Sequence, residues 1–234
     1  MRLSELKSRL LTIRDEGFVQ TRRKGPTGIG YTLESLLELT ENNLPIPDIG
    51  GRVEVKATRS NTNNLITLFT FNRGVWVHRP KEIVSRWGYW DAEKGRQALY
   101  TTVSAQEPNR LGLQLSISND ATSLSLNHVP SSSLLATWDM YYIVGKFVSK
   151  FSRMLFVHAD TRRGDGLEEF YYTRANLLSE PSSLTFRDGF NSGIVTIDVR
   201  MYLKPNGQVR NHGTGFRVQE HSLPDLFDKS ISIL

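Results

Sequence analysis

Leucine and isoleucine recur every three or four positions at Leu3, Leu6, Leu10 and Ile13, which predicts an amphipathic helix over residues 3–16 closed by Gly17. The next segment, T-R-R-K-G-P-T-G-I-G at 21–30, has no apolar period and reads as a loop. A second helix is predicted from Thr32 as its cap, burying Leu33, Leu36 and Leu37. N-N-L-P-I-P-D-I-G-G ends it with two prolines and two glycines. R-V-E-V-K-A-T then alternates as a strand does, and L-I-T-L-F-T-F at 65–71 is a second, more apolar strand. The polar R-S-N-T-N-N between them predicts a hairpin.

Further on, Leu111, Leu113, Leu115 and Ile117 alternate, as do Leu124 and Leu126. T-W-D-M-Y-Y-I-V-G-K-F-V-S-K-F has helical spacing, with Met140, Ile143, Val144, Phe147, Val148 and Phe151 on one face and Asp139 as cap. R-M-L-F-V-H-A-D and E-E-F-Y-Y-T read as strands. In G-I-V-T-I-D-V-R-M-Y-L, Val195, Ile197, Val199 and Met201 share one face, while Asp198, Arg200 and Tyr202 share the other. K-P-N-G-Q-V-R-N-H-G-T-G reads as a loop before a short strand F-R-V. These elements predict a mixed α+β fold with a substantial sheet, in one domain or two lobes.

Composition narrows the chemistry. The absence of cysteine excludes disulfide scaffolds, thiolate zinc sites and cysteine nucleophiles. No apolar run approaches the ~18 residues of a membrane span, and the N-terminus lacks a signal-peptide core, so a cytoplasmic protein with no membrane partner is expected. The formal charge of +5 suits a polyanionic partner without specifying one.

The chemistry-bearing stretch is P-D-I-G-G-R-V-E-V-K at 47–56. In a strand Glu54 and Lys56 point to one side, about 7 Å apart, and the Pro/Gly turn can fold Asp48 over the same spot. Two carboxylates converging on one point repel unless a cation lies between them, and Mg²⁺ prefers such hard oxygen ligands. Asp48, Glu54 and the Val55 carbonyl are the candidate metal ligands, with Lys56 placed to orient water or meet developing charge. Salt bridging on a solvated strand face explains the same residues without catalysis. Glu34 lies about 60° from Leu37 on the helical wheel, at the rim of the apolar face, where a carboxylate can reach a sheet edge or simply join Glu38 and Glu41 in solvent.

The ordered set Arg22-Arg23-Lys24, G-P-T-G-I-G, a helix bearing Glu34, then P-D and E-V-K resembles the MvaI/BcnI family of type II restriction endonucleases, which are also similar to the MutH nickase. The likeness continues through L-I-T-L-F-T, L-Y-T-T-V-S and N-H-G-T-G-F-R-V. It implies a restriction-endonuclease-like core, a mixed sheet flanked by helices, with a recognition lobe across a cleft. It implies a catalytic lobe mainly within residues 1–110 and recognition mainly within 111–234, and catalysis by Glu34, Asp48, Glu54 and Lys56. The implied cofactor is Mg²⁺, with Mn²⁺ as substitute. The implied partner is double-stranded DNA, cut one strand at a time by a monomer at a short C/G-rich site. A cognate methyltransferase is a genetic rather than physical partner of such an enzyme.

Arg22, Arg23, Lys24 and Thr27 are candidate phosphate contacts. From Leu203 to Arg217 the chain carries no acid but holds Lys204, Arg210, His212 and Arg217. The same resemblance implies base recognition by Asp198, Arg200, Asn211, His212 and Arg217, with Arg210 a further DNA contact; arginine pairs with guanine and a carboxylate accepts from cytosine N4. An in-strand Asp198–Arg200 charge pair is the alternative for those two. Trp76, Trp87, Tyr89 and Trp90, among basic residues, can cover DNA or pack a core. A MutH-like repair nickase and a non-catalytic DNA-binding module are the rival functions.

Overall fold

The computed structural model describes residues 2–39, 47–60, 64–71 and 74–234. Its elements begin with α1 (Leu3–Asp15), β1 (Val19–Gln20), α2 (Gly28–Leu36), β2 (Glu54–Arg59), β3 (Leu65–Phe71) and α3 (Pro80–Trp87). There follow β4 (Tyr89–Asp91), β5 (Arg96–Val103), β6 (Leu113–Ile117), β7 (Ser123–His128), β8 (Ser133–Asp139) and α4 (Met140–Lys150). The chain closes with β9 (Arg153–Gly164), β10 (Leu167–Pro181), α5 (Ser183–Asn191), β11 (Val195–Leu203), β12 (Val209–Gln219) and β13 (Phe227–Ser232).

These form two compact units, interleaved along the chain: Met1–Asn64, Val148–Ser182 and Pro224–Leu234 in one, Leu65–Phe147 and Ser183–Leu223 in the other. Residues 65–110, expected with the catalytic lobe, therefore pack in the second unit. The first unit holds a mixed sheet in the order β1-β10-β9-β2, with β13 also on β10. β2 runs parallel to β9, with Glu54 beside Met154 and Lys56 beside Phe156, while β9 and β10 are antiparallel. Leu6, Leu10 and Ile13 of α1 and Ile29 and Leu33 of α2 pack on Val55, Leu155, Val157 and Tyr172 of this sheet. Leu3, placed on the same stripe by spacing, is instead 52% exposed in the first turn. The second unit holds the sheet β3-β12-β11-β5-β4 and a separate β6-β7-β8 meander. Val195, Ile197, Val199 and Met201 are fully buried, as their alternation predicts.

Three expectations change. β2 and β3 do not form a hairpin; β2 pairs with β9 and β3 with β12, in different sheets. A parallel partner needs a long crossover, so the strand next in sequence is not the one next in space. Helix α2 starts at Gly28 rather than Thr32. A Cβ at position 28 would sit 2.3 Å from the Arg23 carbonyl, so this close approach requires glycine, whose low helix propensity disguises the helix start. Thr32 lies inside the helix, and its hydroxyl accepts the Arg22 N–H at 2.9 Å. Finally, most of the expected loop at 204–215 is strand, because β12 is held between β11 and β3. The Asp139 cap is present: its carboxylate accepts the Tyr142 N–H at 2.8 Å.

Candidate active site

Two left-handed glycines, Gly50 (φ 58) and Gly51 (φ 67), turn the chain so that Ile49 bridges back to Val53. This brings Asp48 against the start of β2, where its Oδ2 accepts the Val55 N–H at 2.8 Å. β2 is the edge strand of its sheet, and in a strand a residue's N–H and C=O face the same side. The Val55 carbonyl therefore also faces the free edge on which Asp48 lies.

Glu54 is 3% exposed. Its Oε1 accepts from Lys56 Nζ at 2.7 Å and lies 3.1 Å from Lys150 Nζ, at the end of α4. Its Oε2 is buried without a hydrogen-bond partner. Burial, and then the Glu54 charge, hold the Asp48 carboxyl above the usual aspartate range, against the Val55 N–H and the two lysines. The cluster thus contains an orphaned carboxylate oxygen and a second carboxylate short of positive charge, and a hard divalent cation fits both. Among the described residues no three acidic or histidine side chains gather closely enough to share an ion, so Glu34 does not complete a three-carboxylate centre. Glu34 is half-buried on α2, which packs against β2.

The basic loop is anchored at both ends. Thr21 N–H bonds the Glu168 carbonyl at 2.8 Å, and the Tyr172 hydroxyl donates to the Ile29 carbonyl at 2.8 Å. Arg22, Lys24 and Thr27 are exposed, while the Arg23 guanidinium stacks 3.7 Å over the Tyr31 ring.

In the second unit the expected base readers divide. Asp198 is 8% exposed; it accepts from Thr102 Oγ1 at 2.6 Å and from Arg217 Nη1. Arg217 also donates to the Leu65 carbonyl. The charge partner of Asp198 is thus Arg217 across the sheet rather than Arg200. Arg200, opposite Tyr100, has a buried Nε without a partner. Arg210, Asn211 and His212 are exposed. His212 sits beside Tyr100 and Tyr202; partial burial and then Arg210, Arg200 and Arg96 hold its pKa below the ordinary histidine value. Of the tryptophans, Trp87 is core and Trp90 is 63% exposed.

The family described as MvaI/BcnI restriction endonuclease matches residues 7–227. The chain belongs to this family. It is a type II site-specific deoxyribonuclease. Among solved structures, restriction endonuclease MvaI in complex with cognate DNA matches with a TM-score of 0.82 and 24% identity, covering 99% of this chain and 98% of that one. MvaI in the absence of DNA matches with a TM-score of 0.60 and 23% identity, over 99% and 97%. No curated protein matches. These likenesses establish the MvaI-type fold, and no described helix is long and apolar enough to cross a membrane. The residue that sequence reasoning missed in this MvaI/BcnI chain is Lys150. Its signal was present: it lies between Phe147 and Phe151 at the rim of the apolar face of α4, the same placement that singled out Glu34.

Proposed function

We propose that this endonuclease hydrolyses double-stranded DNA at a short C/G-rich site with Mg²⁺ held by Asp48, Glu54 and the Val55 carbonyl, Mn²⁺ serving as substitute, and that a monomer nicks each strand in turn. The observation that carries the metal reading is the orphaned Oε2 of buried Glu54, with the Asp48 carboxylate folded against the start of the same strand. When bound, a divalent ion there lowers the pKa of a water and polarises a phosphate oxygen. A water oxygen bonds to phosphorus as one P–O ester bond breaks; the water loses a proton and the departing oxygen gains one. Lys56, 2.7 Å from Glu54 Oε1, is poised to orient that water or to meet the charge growing on the phosphoryl oxygens. Lys150 keeps the same Glu54 oxygen neutralised when Lys56 turns to substrate. Glu34 joins the site from α2, which packs against β2, without being a third direct ligand.

Arg22, Arg23, Lys24 and Thr27 hold phosphates, fixing register without reading sequence. Asp198, Arg200, Asn211, His212 and Arg217 meet base edges, Asp198 and Arg217 as a bonded pair, and Arg210 is a further DNA contact. The resemblance to a MvaI–cognate DNA complex supports duplex DNA as ligand. Supercoiled plasmid with Mg²⁺ is expected to pass through a nicked form before becoming linear, and to stay intact in EDTA. Sedimentation should give one protein per site. Two proteins per site, with linear product and no nicked lag, would overturn the monomer reading.

A further inference from the structure

The β9–β10 hairpin turns through Asp165 (φ 47) and Gly166 (φ 79), the two-residue turn that matches strand twist. Gly164 pairs with Leu167 at the turn, and the two pairs before it are Arg163 with Glu168 and Arg162 with Glu169. Arg162 and Glu169 form an ion pair at 2.6 Å. Arg163 and Glu168 do not, because both Glu168 oxygens are taken by the Arg59 fork at 2.7 Å each. Arg163 is left with no hydrogen bond or ion pair among the described residues. It lines a groove of about 680 Å³ together with Lys24, which has no such partner either, and with Thr161, Gly25 and Gly166. These wall residues are all exposed. The acid in the wall, Glu168, is neutralised by Arg59, and that bond holds its carboxyl below the usual range. Arg163 feels the Glu168 charge without bonding to it, so two cations with free hydrogen-bond donors, a hydroxyl and glycine backbone face open space, which is the chemistry of a phosphodiester contact.

We propose that this groove grips the phosphate backbone of the duplex outside the cutting site, an inference that rests on the DNA-cleaving function proposed above. Phe156 lies beside Lys56, and Arg163 is seven residues further along β9, about 23 Å away at ~3.3 Å per residue. The gripped phosphate is therefore not the scissile one or its neighbour; on a duplex running along the strand it lies roughly six or seven base pairs away. The contact carries no base information, so it adds affinity and salt dependence, not specificity.

The test compares equilibrium binding, in EDTA, of the parent chain, Arg163→Ala and the Arg163→Ala/Lys24→Ala double variant. One duplex ends about three base pairs beyond the site and the other extends about fifteen on each side. On the long duplex the salt slope is expected to fall by about one for the single and about two for the double variant, equally for cognate and scrambled sequence. On the short duplex it is expected to fall by about one less for each variant, leaving at most the Lys24 contact. Arg163→Lys should keep the parental slope, which separates lost charge from lost fold. An unchanged slope on the long duplex in Arg163→Ala, a fall equal on the two duplexes, or a loss confined to cognate DNA overturns the groove assignment while leaving the cleavage reading intact. A parent chain that binds no duplex in a salt-dependent way overturns both.

Discussion

Glu54 in the first unit and Asp198 in the second are both buried carboxylates with cationic neighbours, and they end in opposite states. Asp198 has both oxygens occupied, one by Thr102 and one by Arg217. Glu54 crowds two ammonium groups onto one oxygen and leaves the other with nothing. A buried polar atom left unmet costs free energy, so the fold tolerates at Glu54 what it avoids at Asp198. Asp198 is satisfied within its own sheet, whereas Glu54 keeps one buried oxygen for a further partner. Asp198 still keeps spare lone pairs, because a carboxylate can accept about four hydrogen bonds.

The sharpest way to break this contrast is Lys56→Ala. Cleavage should slow by about 10²–10⁴-fold, as for loss of a positioned proton-transfer group, while binding to cognate duplex in EDTA stays unchanged. Full cleavage by this variant would remove Lys56 from the chemistry. Next in size is Asp198→Ala, which strands the Arg217 guanidinium and should cost about 1.5–3 kcal/mol of unfolding free energy by denaturant titration. A chain as stable as the parent would mean the pair is not structural.

The subtlest effect is that of Asp48→Asn. The folded carboxyl titrates above its ordinary 3.8 because of burial and Glu54. A raised folded value means that the proton's stabilising contribution is present below the unfolded pKa and is lost as pH rises through the folded one. In EDTA the parent's Tm should therefore decline across that window, and Asp48→Asn should lack this component. At neutral pH the variant should melt no lower than the parent without metal, and should lose the rise in Tm that Mg²⁺ gives the parent. A normal Mg²⁺-induced rise in Asp48→Asn would refute the ligand assignment.

How much of this was legible depends on how local the cause is. The alternation of R-V-E-V-K and the glycine pair after Asp48 are local, and they predict both the strand and the folded-back carboxylate. Lys150 comes from a helix far along the chain, and only the parallel register of β2 with β9 brings that helix end to Glu54. The false hairpin after Arg59 has the same origin: a polar link says that a strand ends, not which strand it pairs with. The Asp198–Arg217 pair depends on the β11–β12 register, which places Thr196 opposite Arg217 and Gly215 opposite Asp198. Periodicity shows faces, and register decides partners.

The pairing of β2 with β9 also has a consequence in time. The strand that carries Glu54 and Lys56 finds its neighbour only after about a hundred further residues, with most of the second unit folded from the chain between them. Contacts this distant in sequence close late and slowly, because the loop entropy comes before the reward. During synthesis the nuclease motif leaves the ribosome long before its sheet neighbour or Lys150 exists. A nascent or prematurely ended chain thus carries Asp48, Glu54 and Lys56 and still lacks the strand and the lysine that surround Glu54 in the finished fold.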